Sequence, residues 1–169
     1  MMGKALPQFV PQEVCLTCDG CCRFKDASSR WRPKLTREEE QHSLAQKIFS
    51  KEEIDGEGYL KTTDEKGVCR CQFFNLKENT CSIYKYRPFE CQLYPFILHK
   101  KDGKIVVSVH LNCPYIHEMR HAPKFQTFEG ELRQFFDEPS TKEFVKRNVL
   151  DIGSYDEYTS ELDYLFTVL

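Results

Sequence analysis

With 169 residues, 40% of them apolar and 30% charged, the chain has the length and composition of a small globular domain with a modest core. A formal net charge of −2 supplies no global field toward nucleic acid or an anionic membrane, so neither is expected as a partner. No apolar run approaches the roughly 18 residues of a bilayer-crossing helix, and residues 1–14 hold no apolar stretch of signal-peptide length, so a cytoplasmic, reducing compartment is expected.

In chain order, residues 15–22 read as a loop, because Asp19-Gly20 is a turn pair. Thr36-x-x-Glu39 is a capping box and predicts a helix carrying Leu44, Ile48 and Phe49 on its apolar side and stopping before Gly56. Glu38, Glu39 and Glu40 read as a solvated helix start favoured by the dipole. Residues 59–63 and 68–74 look like two short strands, and 75–80 like a polar turn delivering Cys81. Arg87-Pro88 suggests a short helix with Cys91 one turn on. Residues 96–99 and 105–111 flank Asp102-Gly103, a strong two-residue hairpin turn. Opposed positions in that hairpin sum to 205, so Cys113 is expected to face position 92, next to Cys91. Three helical stretches follow Pro123. One carries Leu132, Phe135 and Phe136. The next starts with a capping box at Ser140-x-x-Glu143. The last carries Tyr155, Tyr158, Leu162, Leu165, Phe166 and Leu169 at spacings of three and four.

The nine cysteines carry the chemistry. Cys15-x2-Cys18-x2-Cys21-Cys22 is followed by Cys71, Cys81, Cys91 and Cys113, with Cys69 as an extra thiol. In a reducing compartment such spacing points to metal ligation rather than disulfides. Two-residue spacing lets successive sulfurs converge on one centre, as in the first three ligands of bacterial ferredoxins, and Cys113-Pro114 has the form of their fourth. Neighbouring side chains diverge, so one of Cys21 and Cys22 is expected to serve a second metal or to cap the site. Eight thiolates suffice for two four-cysteine sites, or for one cluster with spare thiols. Zinc and iron–sulfur use the same ligand types, so the cofactor is read as zinc or an iron–sulfur cluster. A fixed Arg87 guanidinium near several thiolates would offset their charge. Cys69 shares a strand face with Cys71 and reads as an ordinary half-buried thiol.

These blocks, with Cys71-Gln-Phe-Phe, Cys81-Ser-Ile-Tyr-Lys-Tyr-Arg-Pro-Phe-Glu-Cys91-Gln-Leu-Tyr-Pro and Asn112-Cys113-Pro114, resemble the YkgJ-type cysteine-cluster family. Its members are also called CxxCxxCC, or zinc- or iron-chelating domain, proteins. The resemblance covers roughly residues 15–116. It implies a metal-chelating domain, often labelled an iron–sulfur oxidoreductase, and flagellin lysine methylases carry a similar cluster. Carried over position by position, it implies Cys15, Cys18, Cys21, Cys22, Cys71, Cys81, Cys91 and Cys113 as ligands. It also places Tyr84, Arg87, Pro88, Tyr94 and Pro95 in its motif, so Arg87 and Tyr84 are expected beside the bound group. Two positions depart from the family pattern. Gln92 stands where Arg is usual, and Tyr115 where Gly is usual, so a basic partner of the cluster is missing.

His117-Glu118-Met119-Arg120-His121 has the form of a zinc-protease motif. Pro114 and Pro123 bracket it too closely for that helix, and exposed loop histidines are expected instead. Trp31, between two arginines, could cover the cluster loop or meet a partner. The expected fold is a single α+β domain over residues 1–169. Short strands and loops of residues 15–116 enclose a cysteine-bound metal centre, and a helical extension over 124–169 covers it. The expected function is a metalloprotein that acts as a cluster-dependent oxidoreductase or modifying enzyme on a protein or small molecule. The alternatives are a zinc-organised interaction module, or a metal store.

Overall fold

The computed structural model describes residues 5–18 and 21–169. The protein is α+β, with short helices and antiparallel sheets. Its residues gather into two compact units, one formed by residues 11–91 and one by residues 1–10 with 92–169. Among the described residues, no helix is long and apolar enough to cross a membrane.

The 11–91 unit opens with α1 (Gln12–Thr17), closed at its start by Cys15 N–H donating to the Pro11 carbonyl at 3.0 Å. Cys15 therefore rides on a helical turn rather than on the expected loop. Cys18 ends that turn in an extended conformation. Strand β1 (Arg23–Phe24) follows, and then α2 (Arg37–Ala45), whose N-terminus forms the capping box expected at Thr36 and Glu39. This helix ends earlier than its apolar spacing suggests. Lys47 takes a positive φ of 53°, its N–H donates to Leu44 and the Ile48 N–H to Ser43. That is a Schellman closure with lysine where glycine is usual. It releases Ile48 and Phe49 into the core rather than onto a further helical turn.

Strands β2 (Thr62–Glu65) and β3 (Val68–Cys71) form a hairpin across Lys66 and Gly67, both at positive φ. The first strand is shifted from the expected 59–63. β3 lies between β1 and β2. The two-residue strands β4 (Phe74–Asn75) and β5 (Thr80–Cys81) pair next, with the Asn75 side chain accepting from the backbone of Lys77 and Glu78 to hold the turn. A 3-10 turn at Tyr84–Tyr86 leads to the expected short helix, α3 (Phe89–Leu93), which begins just after Pro88. Leu35, Phe49, Ile54, Leu60, Phe74 and Ile83 form the core, and Cys71, Cys22 and Cys81 pack into the same cluster. Three of this unit's thiols thus pack with its apolar core.

The second unit is built on the hairpin of β6 (Phe96–Lys101) and β7 (Lys104–His110). Its register is the expected one: Phe96 opposes Val109 and Lys101 opposes Lys104, with Asp102 and Gly103 at positive φ. The ladder does not run on to residue 92, because Gln92 lies in α3, so the register argument does not extend to Cys113. Helices α4 (Pro114–Met119), α5 (Pro123–Asp137) and α6 (Pro139–Arg147) follow. α5 buries Phe125, Phe128, Leu132, Phe135 and Phe136 on one face. Phe9 meets Phe96, Phe125 and Phe128 there at centroid distances of 6.0, 5.4 and 5.0 Å. The helix starts one residue earlier than the expected Ser140, at Pro139, whose ring is preset for a first turn, with Glu138 as its N-cap.

The last expected helix is instead a 3-10 turn (Asp156–Glu161) followed by β8 (Leu162–Thr167). β8 pairs antiparallel with β7, giving the order β6-β7-β8, with a register shift at Val107/Ser108. The free edge of β7 offers a row of backbone N–H and C=O groups that need partners. The segment Leu-Asp-Tyr-Leu-Phe-Thr supplies them from residues of high strand propensity, which overrides a three-and-four spacing equally readable as helix.

Candidate metal centre

All nine cysteines are thiols, and no disulfide joins them. Seven of the eight expected ligands belong to the 11–91 unit. α1 delivers Cys15, its extended end Cys18, and the entry to β1 delivers Cys21 and Cys22. Cys71 ends β3, Cys81 ends β5, and Cys91 lies in α3. The Cys71 N–H donates to the Cys22 carbonyl at 2.9 Å, which ties the two chain segments together.

The sulfurs address one another. The sulfurs of Cys21 and Cys22 stand 3.9 Å apart, and Cys15 is close enough for Cys21 to dominate its ionisation. With a zinc–sulfur bond of about 2.3 Å, two tetrahedral ligands stand about 3.8 Å apart. The expectation that neighbouring Cys21 and Cys22 diverge is therefore corrected. Extended backbone would send them apart, but the turn before β1 brings both sulfurs to ligand spacing.

The thiols also resist ionising, each for a local reason. Cys21 pushes Cys15 up, helped by burial. Cys21 is lowered by Cys15, but the bond to Cys22, burial and the neighbouring Cys22 and Cys18 outweigh this and raise it. Burial lifts Cys71 to about 11, with Cys81 adding to the effect. Burial raises Cys81, with Cys15 repelling it, and burial raises Cys91 well up, with Cys71, Cys21 and Cys81 repelling it. Gathered thiolates of this kind need cations. Arg87 is one: its positive charge favours the ionised form of both Cys15 and Cys81. Its guanidinium is seated 3.8 Å over the Tyr84 ring, with Nε donating to the Tyr84 carbonyl at 3.0 Å. Tyr84 thus holds Arg87 at the thiols.

Among the described residues, no three His, Cys, Asp or Glu side chains stand close enough to enclose a metal ion as they lie. The sulfurs are assembled in a network that is not closed. The donor set nonetheless fits a soft, thiophilic metal: soft sulfur ligands at ligand spacing, with a guanidinium among them.

Cys113 belongs to the other unit, where it is buried at the N-cap of α4. The turn before it is clamped by Glu161, whose carboxylate accepts from Asn112 Nδ2 at 2.6 Å and whose carbonyl accepts from the Leu111 N–H. Cys69 is half-buried on β3 opposite Asp64 and Phe24. His117 and His121 are exposed, with His117 in α4 and His121 beyond its end. Of the two departures from the family pattern, Gln92 uses its carbonyl to accept from Gln8 Nε2, and Tyr115 packs its ring 5.3 Å from Phe9. Trp31 is half-buried, with its backbone N–H donating to Ser29 Oγ.

Several residues that shape the thiol segments escaped notice in the sequence. Arg70 Nη1 donates to the carbonyls of Cys71 and Phe74, fastening the Cys71 turn. Asn79 Nδ2 donates to the Cys18 carbonyl at 3.4 Å. Glu39 is not the solvated charge expected. Its Oε2 accepts from the Thr36 N–H and Oγ1, and its Oε1 from the Phe89 N–H at the start of the Cys91 helix. A capping-box glutamate is legible in sequence; its second bond, 50 residues away, is not.

The CxxCxxCC family profile, described as "Putative zinc- or iron-chelating domain", matches residues 14–122. The chain belongs to this family. It is also similar to a protein of Methanocaldococcus jannaschii described as "Uncharacterized protein MJ0661", 35% identical over 51 residues, which is 30% of this chain and 28% of that protein. The chain thus spans just over a quarter of the length of that curated relative. No solved structure matches. Membership of the CxxCxxCC family agrees with the chemistry of the gathered thiols: zinc or iron chelation.

Proposed function

We propose that this CxxCxxCC protein binds zinc or an iron–sulfur cluster through Cys15, Cys18, Cys21, Cys22, Cys71, Cys81 and Cys91, in the cytoplasm. The observation that supports this best is the 3.9 Å approach of the Cys21 and Cys22 sulfurs, with the charge of Arg87 acting on nearby Cys15 and Cys81. Bound iron–sulfur would supply one-electron chemistry, and bound zinc a closed structural centre. Arg87, held by Tyr84, would offset thiolate charge and present its fork to a carboxylate or phosphate of a small molecule or protein acted on at the centre. On this reading the protein is a cluster-dependent oxidoreductase or modifying enzyme.

The thiol variants test the ligand set. Cys21→Ala and Cys91→Ala should each lower bound metal per chain, whereas Cys69→Ala should leave it unchanged. Equal metal content in all three would overturn the assignment. A second reading, a zinc-organised interaction module, is favoured by the way Cys22, Cys71 and Cys81 share the apolar core. It predicts a colourless protein that unfolds on zinc removal.

A further inference from the structure

The helix that carries Cys91 has five residues, too short to hold itself together. Its first N–H groups have no carbonyl behind them within the helix. Two carboxylates cross between this helix and the start of α2. Glu39 accepts from the Phe89 N–H, and in the opposite sense Glu90 Oε2 accepts from the Lys34 N–H at 2.8 Å. Both carboxylates are half-buried, so each is kept there against a desolvation cost. Lys34 and Arg30 stand near Glu90 and moderate that cost. Both cations also lie over the Tyr59 ring, at 5.4 and 5.9 Å, which fixes the strip of chain that Glu90 grips.

We propose that this crossed clasp between Glu39 and Glu90 presets the position of Cys91, and that Glu39 is a positioning residue for the metal centre. The proposal rests on Cys91 being a ligand. Glu39 serves two ends with separate oxygens: Oε2 closes the α2 cap on Thr36, and Oε1 holds the start of α3. Its two roles can therefore be parted. Thr36→Ala removes the hydroxyl from the cap and leaves the Phe89 bond. Glu39→Ala removes both. If the clasp presets Cys91, Glu39→Ala leaves α3 loose and speeds departure of the metal through that ligand.

The test is metal release from the loaded protein into an excess of a chromogenic chelator, followed for wild type, Thr36→Ala, Glu39→Ala and Cys91→Ala. Circular dichroism confirms that each variant is folded. The cobalt-loaded forms give a second readout, since thiolate-to-cobalt absorption reports the number of sulfurs bound. Expected are release at least tenfold faster for Glu39→Ala, release within threefold of wild type for Thr36→Ala, and weaker thiolate absorption in Glu39→Ala alone of these two. Equal release rates and absorption for Thr36→Ala and Glu39→Ala would overturn the clasp, because Glu39 would then act only by capping α2. Unchanged metal content and absorption in Cys91→Ala would instead overturn the ligand assignment beneath it.

Discussion

Replacing Arg70 by methionine should destabilise the 11–91 unit by about 3 kcal/mol, and the structure says where that comes from. The side chain is 14% exposed. Its Nε and Nη2 donate to Glu65 Oε2 at 3.1 and 2.6 Å, while Nη1 donates to the carbonyls of Cys71 at 3.1 Å and of Phe74. Glu65 is 44% exposed, so solvent screens the ion pair and its share is below about 1 kcal/mol. The carbonyl bonds are made by a charged donor, at roughly 1.5 kcal/mol each or somewhat more, and methionine leaves both oxygens without that donor. The sum is about 3 kcal/mol, most of it from the Cys71 turn. For a chain of this length that lowers the melting temperature by about 6–12 °C. Glu65→Gln should cost less than about 1 kcal/mol. Melting followed by circular dichroism, with metal loading and reductant held constant, reads both. A Glu65→Gln loss as large as that of Arg70→Met would refute the reasoning, since the ion pair and not the carbonyl cradle would then be the source.

Phe125 is fully buried against Phe9 and Phe96, with Arg120 over its ring at 4.4 Å, so Phe125→Ala should cost about 3–5 kcal/mol in a urea titration; a shift below about 1 kcal/mol would show that the ring cluster is not the core of that unit. Burial holds His99 below the usual imidazole range, between Ser108 Oγ at its Nε2 and the Lys100 carbonyl at its Nδ1. Because its folded pKa is depressed, the unfolded chain binds the proton more readily. Its contribution is complete above an unfolded pKa of about 6.5 and is lost as pH falls below that value. His99→Gln should flatten the pH dependence of stability below about pH 6.5; an unchanged slope would show that His99 does not titrate differently on folding.

The parts of the fold legible in the sequence are those whose signal is local. Thr36-x-x-Glu39 marks its own cap, Asp102-Gly103 sets the hairpin register, and Pro88 marks the start of the Cys91 helix. The end of α2 was not legible, because Lys47 adopts the left-handed conformation that glycine usually signals. β8 was not legible, because a spacing of three and four also suits a twisted strand with a register shift, and what decides is the unpaired edge of β7, remote in sequence. The thiols of the site could be named from their spacing, and Arg87 from its charge. The approach of Cys21 to Cys22 could not, since it depends on the turn that feeds β1. Nor could Glu39's bond to Phe89, which joins residues 50 apart.

The central claim is that the gathered thiols hold a metal, and the direct measurement is iron, zinc and acid-labile sulfide per chain in protein purified without oxygen, with its visible absorption spectrum. The account predicts tightly held metal: iron with matching sulfide and a brown colour for a cluster, or zinc near an integer per chain without colour. A folded, monodisperse protein carrying neither metal, and taking up neither on reconstitution, would contradict it.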